Sequence, residues 1–322
     1  MKKFYPITLL VLLLCSCTTK FDLYCYDDDT TIVYSVLEVN ADTNYFRISK
    51  SSLEHEYDYN YDDIDVRFAG LFRDESQPDT VMLDTISLTT DGLLKTYYFT
   101  TKKLIENQEY SIIIHRKADD VTISSKARTI CEISIIRPLG KYINLQSDLV
   151  NQVQWIGRHH DNAPNINAGF FDMNAYFHYK ELMPGATDTV DRYMPWPIAS
   201  GQAEEWQNTT YNFYAMHYTP SVFFTQLGND EYLNNNTPIG VQRWLEPFEF
   251  RLSVYGDELY EYYVANNSTS IIPEVPNYSN IDNGIGLLSS RATIKAFFVI
   301  DQLSRKKISN DYPFGFVYDP NL

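Results

Sequence analysis

The chain has 322 residues, with 42 acidic against 26 basic side chains and a formal net charge of -16. That balance excludes nucleic acid as a partner, because a groove that tracks phosphates needs clustered Lys and Arg; the one dense cluster, Arg305-Lys306-Lys307, reads as a solvated face near the chain end. The 26 Tyr and 18 Phe set against 6 Met favour strands over helix bundles, since aromatic side chains fit a half-buried pleated surface.

Met1-Lys2-Lys3 is a short positive stretch followed by the apolar run Leu9-Leu10-Val11-Leu12-Leu13-Leu14, too short to cross a bilayer as a permanent helix. It reads as an export signal over residues 1–16. Leu14-Cys15-Ser16-Cys17 resembles the bacterial lipoprotein signal, in which a Leu, a small pair and then Cys are lipidated and cleaved. Cys17 fits, with Ser16 before it, whereas Cys15 would put bulky Leu14 at the cleavage point. The resemblance implies a diacylglyceryl thioether and an N-acyl chain on Cys17, a membrane anchor held by several buried chains. Residues 17–29 form a tether, and its Lys20 and Asp27-Asp28-Asp29 resemble the surface-export signals of Bacteroidota lipoproteins. The expected location is the outer membrane, on its periplasmic or its surface-exposed face, with the surface favoured. In an oxidising periplasm Cys25 and Cys131 can bridge, stapling the tether to the end of the first domain; two separate thiols are the alternative.

Roughly 300 residues follow the signal, enough for two domains that each bury a core. Short strands with turn clusters at regular spacing run from Thr30: 32–39, 45–49, 64–72, 80–88, 95–100, 110–115 and 121–129. This spacing predicts an all-β sandwich over residues 30–137. Leu104-Ile105-Glu106-Asn107-Gln108-Glu109-Tyr110 resembles the corner of fibronectin type III modules, where a Leu six residues before a Tyr opens the penultimate strand and the Tyr hydroxyl bonds back to the loop. Glu106 stands where the usual Pro would be. The expected fold is mainly β: an Ig/fibronectin-III-like N-terminal sandwich followed by a second β-rich domain with one or two short helices.

Residues 132–142, with Arg137-Pro138-Leu139-Gly140 as breakers, form the expected join to a domain at 138–322. Strands are predicted at 152–156, 168–180, 189–197 and 212–218, and a helix within 220–233. The alternation of Phe248, Phe250, Leu252 and Val254 marks a strand over 246–255. A short helix at 258–265, with Leu259, Tyr262 and Tyr263 on one side, and a last strand at 293–300 complete the order. Between these last two lies Tyr278-Ser279-Asn280-Ile281-Asp282-Asn283-Gly284-Ile285-Gly286-Leu287-Leu288. It resembles the closing motif of a Bacteroidota lipoprotein family that is a domain of unknown function, built from an Ig-like part and a β-rich part; Leu288 replaces the family's usual Phe. The resemblance implies an envelope location and brings no reaction.

Gly284-x-Gly286 lacks the third Gly and the helix of a dinucleotide site and reads as a tight loop, so no cofactor is expected. Arg158-His159-His160-Asp161 reads as a polar loop rather than a metal set, because no further spaced ligands complete it. Asp58-Tyr59-Asn60-Tyr61-Asp62 has the first oxygens of a calcium loop but Asp63 and Ala69 where Gly and Glu are needed; a looser site at Asp58, Asp62, Asp63 or Asp65 competes with a solvated acidic loop. There is no Gly-x-Ser-x-Gly elbow and no His-Glu-x-x-His helix, so no catalytic residue is nominated. Trp155 and Trp244 read as core; Trp196, Trp206 and Tyr278 are the candidate ligand-binding residues, suited to a glycan or a peptide. Asp29-Thr30-Thr31, Asp79-Thr80-Val81, Asp84-Thr85-Ile86 and Asp188-Thr189-Val190 resemble O-glycosylation sites of exported Bacteroides proteins, in keeping with export.

These features point to a membrane-anchored, non-enzymatic binding module for a glycan, peptide or envelope protein partner; a fimbrillin-like structural or adhesion subunit and a glycan hydrolase are the alternatives. Cys17→Ser is expected to abolish incorporation of a labelled fatty acid and to release the protein from membranes, while Cys15→Ser leaves both unchanged. Labelling that survives Cys17→Ser would remove the anchor from this reading.

Overall fold

The period-two burial seen along the strand segments gives a protein that is mainly β. The computed structural model describes residues 30–51, 57–59, 61–90, 92–158, 169–207, 211–267 and 278–319. In the first half, β1 (Thr31–Glu38) buries Thr31, Val33, Ser35 and Leu37 on one side and turns Tyr34 outward. It is followed by β2 (Asn44–Lys50), β3 (Tyr57–Asp58), a 3-10 turn (Tyr61–Asp63), β4 (Ile64–Gly70), β5 (Asp79–Met82), β6 (Asp84–Thr90), β7 (Leu93–Thr100), β8 (Glu109–Arg116) and β9 (Val121–Arg128). The strands β1-β2-β7-β6 face a second sheet, β5-β4-β8-β9. Lettered in chain order, this is A-B-E-D over C′-C-F-G, the strand order of an immunoglobulin-like sandwich.

One predicted strand, 80–88, is two. The chain changes sheets at Leu83, which is buried and donates its N–H to the Val66 carbonyl at 3.0 Å. β5 stays beside β4 and β6 crosses to β7, a step that an unbroken alternation of residue types conceals. The corner at Leu104 to Tyr110 forms as expected. The Ile105 N–H donates to the Tyr110 hydroxyl at 2.9 Å, and that hydroxyl donates to the Leu71 carbonyl. The Tyr110 ring stacks on Phe68 with centroids 5.4 Å apart, and a Cβ on Gly70 would come within 2.3 Å of it.

The second half contains β10 (Ile133–Arg137), β11 (Tyr142–Ile143), β12 (Asn151–Arg158), β13 (Phe170–Leu182), β14 (Val190–Gln202), β15 (Glu204–Gln207), β16 (Tyr211–Tyr218), α1 (Val222–Asn229), α2 (Glu231–Asn235), β17 (Gln242–Tyr255), α3 (Asp257–Asn267), β18 (Ile285–Ile300) and α4 (Gln302–Asp311). Strands β14-β13-β17-β18 pack on β10-β12-β16-β15. The core between them holds the fully buried Trp155, stacked on Tyr214, with Phe177, Phe223, Phe248 and Phe250.

Four helices stand among the described residues of this half, not one or two. The expectation failed most clearly at α4, which contains the basic trio read as a solvated face. Asp301 caps it by accepting from the Ser304 N–H at 2.8 Å, and it buries Ser304, Arg305 and Ile308. Arg305 donates to the Asp319 carbonyl, and the Lys307 ammonium sits 4.3 Å from the Phe224 ring centre. Its two apolar residues, the exposed Leu303 and the buried Ile308, make no stripe that could be read as a helix.

The element that joins the halves is β18. Its first part pairs in parallel with β1, Ile285 to Arg291 against Ile32 to Glu38. Its second part pairs antiparallel with β17, from Arg291 opposite Tyr255 to Phe298 opposite Phe248. The result is one ten-stranded sheet, β14-β13-β17-β18-β1-β2-β7-β6, with β11 added on β18 and β3 on β2. Leu288 lies in the first core with Ile281; Ala292, Phe298 and Ile300 lie in the second. These even-numbered positions of β18 share one face, so both smaller sheets cover the same side of the large one. The cores are therefore not separated in sequence at residue 137, because residues near 281–288 complete the sandwich at 30–137.

Below Arg291 β17 has ended, and the Asn280 side chain takes the place of a neighbouring strand. Its Oδ1 accepts the Leu288 N–H at 2.9 Å and its Nδ2 donates to the Leu288 carbonyl at 2.7 Å. Ser125 Oγ donates to the Asn280 carbonyl, Asp282 exchanges backbone bonds with Ser124, and Asn283 Nδ2 donates to the Thr122 carbonyl. Gly286 has φ +121, and a Cβ there would lie 2.0 Å from the Val33 carbonyl oxygen. Asn280, Asp282 and Asn283 thus clasp β9 to β18, and the close backbone packing expected of the glycines is met at Gly286 within strand β18, beside β1, rather than in a loop.

A buried ion pair docks the C-terminal segment. Arg243 is wholly buried and donates through Nε (2.9 Å) and Nη2 (2.6 Å) to Glu181 Oε2, and also to the Asn236 and Phe314 carbonyls. Tyr232 and Arg192 donate to the other Glu181 oxygen, and the Arg243 backbone pairs with Gly315 and Val317. Burial pushes the Glu181 carboxyl up, but its bonds from Tyr232 and Arg243 and the Arg243 charge outweigh burial and hold it below its ordinary range.

Two outcomes are expected. Asn280→Leu leaves both Leu288 backbone groups unpaired, so urea unfolding should report a loss of about 2–4 kcal/mol; a loss under about 0.5 kcal/mol would contradict the clasp. Glu181→Gln strands the Arg243 charge and should cost about 3–5 kcal/mol near neutral pH. Because the folded-state value of Glu181 is depressed below 4.5, the stability it contributes is present above that pH and lost as pH falls below it. The gap between wild type and Glu181→Gln should therefore narrow on acidification, and a gap independent of pH would remove the ion pair as its cause.

Candidate functional site

On the uncovered face of the large sheet, the start of β13 lies against the end of β17, Phe170 opposite Tyr255. Gly256 then turns the chain. Its N–H donates to the Ser290 carbonyl at 2.8 Å, and a Cβ would come within 2.8 Å of Glu258 Oε2 and 3.0 Å of Ser290 Oγ. This close approach seats α3 on β18, where Ser289 Oγ donates to Glu258 Oε2 and accepts the Leu259 N–H. The helix period then brings Leu259, Tyr262 and Tyr263 to the sheet side.

Phe170 becomes the hub of an aromatic cluster, with the rings of Tyr255, Tyr260 and Tyr263 at 5.8, 5.2 and 5.2 Å. Tyr262 meets Tyr34 of β1 edge-on at 6.5 Å. Between α3 and the strands is a cavity of about 480 Å³ walled by Phe170, Phe171, Tyr255, Leu259, Tyr262 and Tyr263. Its polar lining is Asp172, Ser200 and Gly201. Small-molecule sites share this make-up of apolar walls and a few convergent polar groups, at about 300–1,000 Å³. The first turn of α3 adds negative charge beside it. Desolvation, then the charges of Glu261 and Glu205, pushes the Asp257 carboxyl up; burial, then Asp257, does the same to Glu258.

The sequence-nominated residues do not form this site. Trp196 is 3% exposed and packs against Phe223, Tyr218 and Phe248, so it is core and not a ligand platform. The reason is strand parity: on β14, Met194 and Trp196 point inward while Tyr193, Pro195 and Pro197 point out. Trp206 is 42% exposed and stacks on Phe213 at 5.7 Å, but on β15 of the smaller sheet. Tyr278 is half-buried, its hydroxyl pushed up by burial and then by Glu258, Glu261 and Asp257. The three line no common cleft. Trp155 is core as expected; Trp244 is half-buried. Of the residues that do line the cavity, only the helical spacing of Leu259, Tyr262 and Tyr263 was legible, because Phe170, Asp172 and Tyr255 reach it through strand pairing.

Cys131 is buried; Cys17 and Cys25 lie outside the described residues, so the lipidation and the bridge do too. The same holds for His159, His160 and Asp161. Asp58 accepts from Arg47 and from the Thr96 N–H, and Asp65 pairs with Lys117 at 2.9 Å, which uses their oxygens within the fold. Among the described residues no group of three or more His, Cys, Asp or Glu is placed to hold a metal.

A second hollow, of about 340 Å³, lies further along the same face beside His178, Lys180, Arg192 and Phe297. Its neighbour Glu249 is 3% exposed and is met by Arg251 Nη2 at 2.7 Å, His178 Nε2 at 3.1 Å and Lys295 Nζ at 3.7 Å. Arg251 in turn lies 4.1 Å over the Tyr176 ring. The charges here satisfy one another.

No family model and no curated protein matches the chain. Among solved structures, a titin A168–A169 substructure is 7% identical over 84% of this chain and 99% of that one, with a TM-score of 0.18. The FN1–FN3 domains of chicken CNTN1 are 11% identical over 84% of this chain and 66% of that one, with a TM-score of 0.19. Likenesses at this level carry no argument about function, and the immunoglobulin-like order of the first sandwich rests on its own strand pairing.

Proposed function

We propose that the protein is a binding module of the bacterial cell envelope, tethered to the outer membrane through lipid on Cys17, that captures a glycan, a peptide or an envelope protein in the cavity under α3. The observation that carries this reading is the aromatic cavity itself, lined by the exposed Tyr263 and the half-buried Tyr255 and Tyr262. The reading is non-enzymatic. The lipoprotein-like signal and the acidic balance agree with a displayed module.

The test is titration of the full chain, in detergent, against oligosaccharides and peptides prepared from envelopes, with Tyr263→Ala alongside. Tyr263 is 51% exposed, so its truncation spares the core. Saturable binding that weakens about tenfold in the variant is expected from the loss of one stacking face. Binding unchanged by Tyr263→Ala, or no saturable ligand in the panel, would overturn the assignment.

A further inference from the structure

We propose that the cavity under α3 selects an organic cation, an alkyl- or quaternary-ammonium group carried by its ligand. The inference rests on the reading that this cavity is the recognition site, and it names the chemistry that the site prefers. Three observations converge on it.

First, the walls are aromatic. Phe170, Tyr255, Tyr262 and Tyr263 surround the space, and the negative π-face of each attracts a cation placed over it, most strongly when water is excluded. Second, the single charged side chain in the lining is the Asp172 carboxylate. Its Oδ2 accepts from the neutral amide of Asn174 at 2.8 Å, and no described side chain forms an ion pair with it, so its charge is left for an incoming group. Third, the surroundings are negative. α3 carries Asp257, Glu258 and Glu261 without a Lys or Arg. Arg291, the cation opposite Tyr255 on β18, lies outside the lining and is paired with Glu38 at 2.8 Å.

An anionic ligand would meet Asp172 with no cation in the lining to receive it. A neutral sugar could stack on the rings but would leave the Asp172 charge beside an apolar wall without a counter-charge, which disfavours water exclusion. An ammonium with alkyl substituents satisfies both: its methyl or methylene groups lie against the rings, and its charge faces Asp172.

The experiment is calorimetric titration of the full chain in detergent with choline, with tetramethylammonium and with 3,3-dimethylbutan-1-ol, the uncharged isostere of choline, beside a neutral oligosaccharide. Saturable binding of choline and tetramethylammonium, at least about tenfold tighter than the alcohol, is expected from the cation–ring and carboxylate contributions. Asp172→Asn and Tyr263→Ala should each reduce choline affinity about fivefold or more, with near-ultraviolet circular dichroism showing that the fold is kept. Equal binding of the alcohol, or choline binding unchanged by Asp172→Asn, overturns the cation assignment. Saturable binding of the oligosaccharide without choline overturns it too while leaving the cavity as a binding site; if nothing in either panel binds, both readings fall.

Discussion

The backbone ladder of β18 is the interaction on which the rest of the structure depends. Because Arg291 sits where the strand leaves β1 and meets β17, one strand continues two sheets into one, and the Glu38–Arg291 pair marks the changeover. The first strand of the fold is therefore completed by nearly the last: Ile32 lies beside Ile285. Such distant pairing makes closure of the sheet a late event, since the loop-closure entropy must be met before the ladder rewards it. The Asn280 clasp and Gly286 are the local means by which that late strand is held in register, one supplying the hydrogen bonds of an absent neighbour and the other allowing contact with Val33.

The shared strand also decides where function can sit. With both smaller sheets on one side, the other side of the large sheet is left to polar and aromatic residues. Toward β14 these residues pair among themselves around Glu249, which makes that region a satisfied surface. At the β17–β18 step the helix α3 folds back, held by Gly256 and Ser289, and its tyrosines meet those of β13 and β17. The cavity exists because a helix bridges a step in the sheet; its chemistry follows from which outward positions, Asp172 and Tyr255 among them, happen to border that step.

Much of the first sandwich was legible because each strand there is a short alternating run closed by turn residues, and because the Tyr110 corner depends on residues only six apart. The exceptions share a cause. The sheet switch at Leu83 and the helix α4 are both defined by partners far away in sequence, so the residue pattern alone reads the first as one strand and the second as a solvated face. Trp196 shows a related limit: the strand was legible, with proline tolerated on the edge that β14 occupies, but which of its faces meets the core was not.

By itself the sequence determined the class of fold, the strand periods, the tyrosine corner and the close backbone approach at the glycines. All of these are local: they follow from side-chain alternation, backbone freedom and motifs contained within a dozen residues. Only the tertiary structure decided that β1 and β18 form one sheet across both halves, that Glu181 and Arg243 lock the C-terminal segment, and that Phe170, Asp172, Tyr255 and the α3 tyrosines enclose a single space. Those facts depend on register between strands distant in the chain, and a side chain's face and neighbours are set by that register, which no local pattern carries.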